Sequence, residues 1–184
     1  MRKICIMGSP GSGKSTLAKK IGQVLDIEVI HLDKLFWQPG WISVSQEDFK
    51  EAQQRHLVKD QWIIDGTYSS VWQPRLEKAD TIIFLDFPKW ICLYRVFQRY
   101  WKNRNQTRSD MGNGCPEKID MEFFQFIWNY PKGKRLKILQ ALQENEEKQI
   151  VILQNSKQVS HFLATLRKKM IHLNSPSLSE KRLC

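Results

Sequence analysis

Five short apolar runs punctuate the chain, near residues 2 to 7, 27 to 31, 61 to 65, 80 to 86 and 149 to 153. Each is rich in Ile and Val or bounded by turn residues, and such runs read as buried strands. Helices fill the gaps. Ser45-Gln46-Glu47-Asp48 opens one with a capping signature ahead of Phe49, Ala52 and Gln53, since a side-chain oxygen there satisfies an amide of the first turn. Pro88 suits the first turn of another, which carries Ile91, Tyr94, Arg95, Gln98 and Arg99. Two more are expected over 117–129 and 132–146, and a last one over 156–170. Alternating strands and helices predict an α/β fold, with a parallel sheet covered on both faces and ligands at the carboxyl ends of its strands. One domain is expected over 1–173, followed by a loose polar tail over 174–184 that contains Pro176.

The first apolar run ends in chemistry. Ile4-Cys5-Ile6-Met7 leads directly into Gly8-Ser9-Pro10-Gly11-Ser12-Gly13-Lys14-Ser15, a full G-x-x-x-x-G-K-[ST] phosphate-binding loop, and Thr16-Leu17-Ala18-Lys19-Lys20-Ile21 continues as a helix. Loop amides and the helix dipole then converge on one point, where a polyphosphate is the expected occupant. Lys14 would reach the β- and γ-phosphates, and the Ser15 hydroxyl would enter the coordination shell of Mg²⁺.

Composition narrows the class. At 184 residues the chain suits a single core, and Met1-Arg2-Lys3 enters the first strand with no apolar signal segment and no run of membrane-spanning length. A cytoplasmic protein with no membrane partner is therefore expected. Cys5, Cys92, Cys115 and Cys184 stand far apart with no C-x-x-C pair, which suits a reducing compartment and argues against zinc. The formal charge of +10 attracts nucleotides and nucleic acids alike. Lys89, Arg95, Arg99, Lys102, Arg104 and Arg108 form one basic cluster, read either as a solvated face or as arginines that close over phosphates.

Other candidates stand at the strand ends. Asp65 follows three apolar residues, so it either supports a Mg²⁺-bound water opposite the loop or forms a turn with Gly66. Asp33 would orient or deprotonate an acceptor hydroxyl, or serve as a cap or loop residue. Asp86, just before Pro88, reads as a helix cap, and His31 as packing. Arg95 and Arg99, four apart, share a helix face and point at a common target. Residues 102–131 read as a lid whose arginines arrive on closure, with an ordinary exposed loop as the alternative. Trp37, Trp41 and Tyr68 either stack on a planar acceptor or pack the core and lid.

The segments GSPGSGKS, HLDKLFWQPGW, WIIDGTYS, DTIIFLDFP followed by R-x-x-x-R, and GCPEKIDMEFFQFIWNYP together resemble the bacterial topology modulation proteins (FlaR-type). These are relatives of adenylate kinase within the nucleoside-monophosphate-kinase-like P-loop fold. Over residues 1 to 170 the resemblance implies a five-stranded parallel sheet in order 2-3-1-4-5, ATP as phosphate donor, and a lid. It also implies phosphate binding by Gly8 to Thr16, the Mg²⁺-water role for Asp65, an adenine-stacking position for Arg95 and a phosphate clamp at Arg99. Adenylate kinases carry an arginine soon after the third-strand Asp-Gly, where this chain reads Thr67-Tyr68-Ser69. The AMP clamp is missing, and Asp33 is placed more as in shikimate- and gluconate-kinase-like relatives.

The reading is an ATP- and Mg²⁺-dependent kinase of a small-molecule acceptor, with Lys14, Arg95 and Arg99 neutralising the transferring phosphoryl and Asp33 positioning the acceptor. The alternative is a nucleic-acid-associated regulator of DNA topology that binds ATP or hydrolyses it slowly. No base-reading motif in the sequence supports it.

Overall fold

The computed structural model describes residues 1–104 and 106–174. Five strands form one parallel sheet: β1 (Lys3–Gly8), β2 (Val29–His31), β3 (Trp62–Asp65), β4 (Thr81–Leu85) and β5 (Gln149–Leu153), in spatial order β2-β3-β1-β4-β5. The α/β class and the strand order match the expectation. Successive residues of a strand face opposite sides of the sheet, and β1 shows it. Cys5 and Met7 join one apolar cluster, while Ile4 and Ile6 join the other.

Eight α-helices surround the sheet among the described residues: α1 (Lys14–Leu25), α2 (Leu32–Phe36), α3 (Gln46–Leu57), α4 (Trp72–Lys78), α5 (Lys89–Lys102), α6 (Met121–Asn129), α7 (Lys134–Gln143) and α8 (Ser156–Asn174). On the Cys5 side, Phe49 and Leu57 of α3, Trp72 and Leu76 of α4, and Ile138 and Leu142 of α7 complete the core. Across the sheet, Leu17 and Ile21 of α1, Leu93 and Val96 of α5, and Leu163 and Leu166 of α8 do the same. Burial on both sides is what makes β1, β3 and β4 continuously apolar rather than alternating.

Helix ends differ from the sequence expectation where local side chains intervene. Ser45 caps α3 as expected, its Oγ accepting from the Asp48 amide at 3.0 Å. The helix expected from residue 117 begins only at Met121, because the Asp120 carboxylate accepts from the Phe123 amide at 2.8 Å. The next begins at Lys134 rather than 132, after a 3₁₀ turn over Tyr130–Lys132 and Gly133. Asp86 does not cap α5. Pro88 precedes that helix without a side-chain cap, and the Asp86 carboxylate instead accepts two bonds from Arg135. A two-stranded hairpin, Trp37–Gln38 with Ile42–Ser43, went unforeseen because two-residue strands carry no readable alternation. The expected tail lies outside the described residues apart from Asn174, which ends α8.

Candidate functional site

The phosphate loop sits between β1 and α1, at the carboxyl end of the sheet. Its path is set by its own backbone: the Ser12 amide donates to the Ser9 carbonyl at 3.1 Å, and the Leu17 amide to the Gly13 carbonyl at 2.9 Å. Gly11, at φ +79°, lies so close to α5 that a Cβ there would stand 2.3 Å from the Cys92 carbonyl oxygen. Only glycine gives that approach. Thr67, just after β3, fastens the start of the loop, donating to the Gly8 carbonyl at 2.8 Å and accepting from its amide at 3.1 Å. Pro10 is half-buried, while Thr16 on the first turn of α1 is exposed.

Parallel register places two ionisable side chains, His31 and Asp65, beside the loop. In the sheet, His31 pairs with Asp65, and Asp65 with Ile6 of β1. Ser15 donates from Oγ to Asp65 Oδ2 at 2.7 Å, and His31 Nδ1 bonds Asp65 Oδ1. His31 is thus engaged with a candidate site residue rather than serving as packing alone. Lys14 Nζ donates to the Ser9 carbonyl at 3.0 Å. Burial lowers the Lys14 pKa from its ordinary value, while the charges of Asp33 and Asp65 work in the opposite direction. Asp33, on α2, accepts from the Tyr68 hydroxyl at 2.6 Å. Its pKa is raised, because burial outweighs that hydrogen bond and the nearby Lys14 charge. Lys14, Ser15, Asp33 and Asp65 therefore form one cluster.

The donor set fits Mg²⁺. A serine hydroxyl and a carboxylate are hard oxygen ligands, and this ion takes few protein ligands alongside substrate phosphates. Ser15 and Asp65, already in contact, would hold it.

Arg95 and Arg99 leave the same face of α5 but separate. Arg95 donates to the Ser12 carbonyl at 3.2 Å and to Ser156 Oγ at 2.9 Å, with its guanidinium 4.6 Å from the Phe87 ring centre. Arg99 reaches Glu117, at 2.8 Å from Nε and 2.6 Å from Nη2. Glu117 also holds Arg108 at 2.9 Å. The shared target expected from their spacing is absent in this arrangement, since one arginine meets the loop and the other a carboxylate.

Residues 106–120 lie over the loop. Lys19 of α1 donates to Ser109 Oγ at 2.7 Å, and Asp110, beside Ser15, pairs with Arg108 at 3.4 Å. Burial works to raise the Asp110 pKa, but the Arg108 charge and the Ser15 hydrogen bond hold it below the usual carboxylate value. The segment also docks on the hairpin: the Gly40 amide donates to the Gly114 carbonyl at 2.9 Å, and Trp41 Nε1 to the Pro116 carbonyl at 3.0 Å. A Cβ on Gly112 would lie 2.0 Å from the Trp37 carbonyl oxygen, so only glycine permits this contact. Trp37 packs edge-on against Trp41 at 5.4 Å, and Tyr68 lies against Phe36 and Phe49.

No protein-family model and no curated protein matches this sequence. Solved structures do match. Shikimate kinase from Acinetobacter baumannii in complex with shikimate superposes with a TM-score of 0.61 at 13% identity, over 95% of this chain and 95% of that one. A gluconokinase from Sinorhizobium meliloti 1021 superposes with a TM-score of 0.52 at 16% identity, over 95% of this chain and 98% of that one. The fold is that of the P-loop kinases. At these identities the likeness establishes architecture and not chemistry.

Several side chains of the cluster carry no signal in the sequence. His31 and Thr67 join it only through parallel register and the turn after β3. Glu117 lies in a short polar stretch, and nothing local shows that it gathers two arginines from 9 and 18 residues away.

Proposed function

We propose that this chain is an ATP-dependent kinase of a small hydroxyl-bearing molecule, and that Mg²⁺ serves the reaction. The observation that carries the reading is the meeting of Lys14, Ser15, Asp65 and Asp33 at the adjoining ends of β1, β3 and β2. Backbone amides of Gly11 to Thr16 would bind the ATP phosphates, with Lys14 on the β- and γ-phosphates. Mg²⁺, when bound, supplies charge neutralisation of those phosphates. Asp33 would orient the acceptor hydroxyl. As the acceptor oxygen forms its bond to the γ-phosphorus, the bond from that phosphorus to the β–γ bridging oxygen breaks, ADP departs, and the hydroxyl proton passes to the Asp33 carboxylate. The raised pKa of Asp33 suits that transfer. Arg95 would stack on the adenine and Arg99 clamp the transferring phosphoryl once freed from Glu117.

Membership of the topology modulation family is part of the same reading and rests on the motifs that end in GCPEKIDMEFFQFIWNYP. The nucleic-acid alternative gains no support from the comparisons. Arg95 and Arg99 are engaged by Ser12, Ser156 and Glu117, and so do not form an outward basic stripe. Among the described residues no helix is long and apolar enough to cross a membrane. The test is a screen of nucleotides, small alcohols and hydroxy acids as acceptors, following conversion of ATP to ADP. Turnover should rise with an acceptor and vanish in Lys14→Ala. Failure of the wild-type protein to bind ATP would overturn the reading.

A further inference from the structure

Tyr68 lies three residues past the end of β3, with its ring centre 4.8 Å from that of Phe36 and 5.0 Å from that of Phe49. Phe36 ends α2 and the buried Phe49 belongs to α3, so two helices fix the ring. Packing does not account for its hydroxyl. That group donates to Asp33 Oδ1 at 2.6 Å across 35 residues of chain, and it accepts from the Trp37 indole N–H. Burial first, then the Asp33 charge, push the phenol pKa up, so the hydroxyl keeps its proton and remains a donor to the carboxylate.

Asp33 sits in the first turn of the five-residue α2, whose N-cap His31 makes no side-chain cap bond and engages Asp65 instead. A carboxylate there turns about two side-chain bonds, and its oxygens are equivalent until one of them is taken. Tyr68 takes Oδ1 and leaves Oδ2 with no hydrogen bond among the described residues. The charged groups that face Asp33 are Lys14 of the phosphate loop, Asp65 of β3 and Arg108 of the segment over the loop. Among the influences that favour the ionised carboxylate, the Tyr68 hydrogen bond comes ahead of the Lys14 charge. The support continues outward. Trp37 is fixed by edge-on contacts with Phe36 at 4.8 Å and with Trp41, and by Gly112 against its carbonyl.

We propose that Tyr68 is a positioning residue for phosphoryl transfer, which holds Asp33 by Oδ1 and so aims Oδ2 at the acceptor hydroxyl. This rests on the kinase reading above, and it gives Tyr68 a role other than stacking on a planar acceptor. As the acceptor oxygen bonds the γ-phosphorus and the bond to the β–γ bridging oxygen breaks, the acceptor proton passes to Oδ2. The Tyr68 proton stays on its own oxygen, and its bond to Oδ1 keeps the carboxyl group from turning. A reacting group misplaced by about an ångström costs roughly a hundredfold in rate, so a bond of this kind acts on turnover and not on ATP affinity.

The test compares the full wild-type chain with Tyr68→Phe, which keeps the ring between Phe36 and Phe49 and removes only the hydroxyl. Mg²⁺ and ATP are supplied with water as the acceptor, and ADP formation is followed as a function of pH. The rate should fall about tenfold, the scale of one hydrogen bond to a charged group, while calorimetry finds the affinity for a non-hydrolysable ATP analogue unchanged. The acid limb of the rate profile should move to higher pH, because a hydrogen bond to the ionised form lowers a carboxyl pKa and its loss raises it. Carboxyl-carbon NMR of Asp33 without nucleotide should show the same upward displacement. That titration needs no turnover, and an unmoved Asp33 overturns the proposal whatever the rates. An unaltered rate in Tyr68→Phe makes the residue a packing residue and overturns it too, as does a fall in rate matched by weakened analogue binding. Wild type that does not bind the analogue fails the kinase reading and this proposal with it, whereas normal binding with an unaltered variant fails the positioning role alone.

Discussion

The phosphate loop takes its shape from bonds between residues a few positions apart, Ser12 to Ser9 and Leu17 to Gly13, with Thr67 fastening its start, and it presents amides to a ligand. The segment 106–120 above it has almost no regular structure. It is held by contacts far away in sequence, to Gly40, Trp41 and Lys19, and by Glu117 gathering Arg99 and Arg108. The loop backbone is therefore preorganised, and only the Lys14 and Ser15 side chains must exchange their bonds to Ser9 and Asp65 when a phosphate enters. The covering segment is poised, because Arg108 within it and Arg99 of α5 are already neutralised by the Glu117 carboxylate. A phosphate must displace Glu117 to recruit them, which turns part of the binding energy toward rearrangement.

The largest expected effect tests the preorganised half. Lys14→Ala should lower ATP turnover at least about a hundredfold, the scale of a lost transition-state donor, while thermal denaturation moves little because Lys14 lies outside both apolar clusters. Unchanged turnover would mean that the loop does not act on phosphate.

Asp33→Asn comes next, with turnover down about a hundredfold, the lower range for a lost general base. Its pH behaviour separates catalysis from packing. A carboxyl whose folded pKa is raised contributes stability that is full below the unfolded value, about 3.9, and lost as pH rises through the folded value. Asparagine removes that loss, so the variant should melt higher than wild type at pH 7. The acid limb of the wild-type rate profile should lie above the ordinary carboxylate pKa for the same reason. A variant that is both slower and less stable would make Asp33 structural.

Arg99→Lys probes the junction between the two halves. The ammonium keeps the charge but loses the two-pronged contact with Glu117. Phosphoryl transfer should fall about tenfold, equivalent to ~1.4 kcal/mol of transition-state stabilisation. Intact turnover combined with weakened, salt-dependent DNA binding would favour the nucleic-acid alternative instead.

The smallest effect on turnover should come from Glu117→Gln. Removing this charge leaves two arginines without their carboxylate and frees them for phosphate. ATP affinity should rise about threefold, within the worth of one charge-assisted bond, and limited proteolysis within 106–120 should quicken. Equal affinity and equal protection would show that the segment is not held by this carboxylate.

Much of the fold was legible because it rests on short-range order. Apolar runs located all five strands within two residues, and the phosphate loop announced itself as a contiguous motif between a strand and a helix. The hairpin at 37–43 and the pairing of Asp86 with Arg135 were not legible, the first too short for any periodicity, the second spanning 49 residues.

By itself, then, the sequence determined the alternation of strands and helices, the loop that receives phosphate, and the identity of the charged residues that end the strands. A contiguous motif encodes its geometry through backbone dihedrals that depend on near neighbours. Only the tertiary structure decided which charge meets which: that His31 bonds Asp65, that Asp33 sits with Lys14, and that Arg95 and Arg99 part company. Those pairings follow from strand register and helix packing, and a side chain finds its partner only after residues distant in the chain have been brought within a few ångströms by burial of the apolar faces.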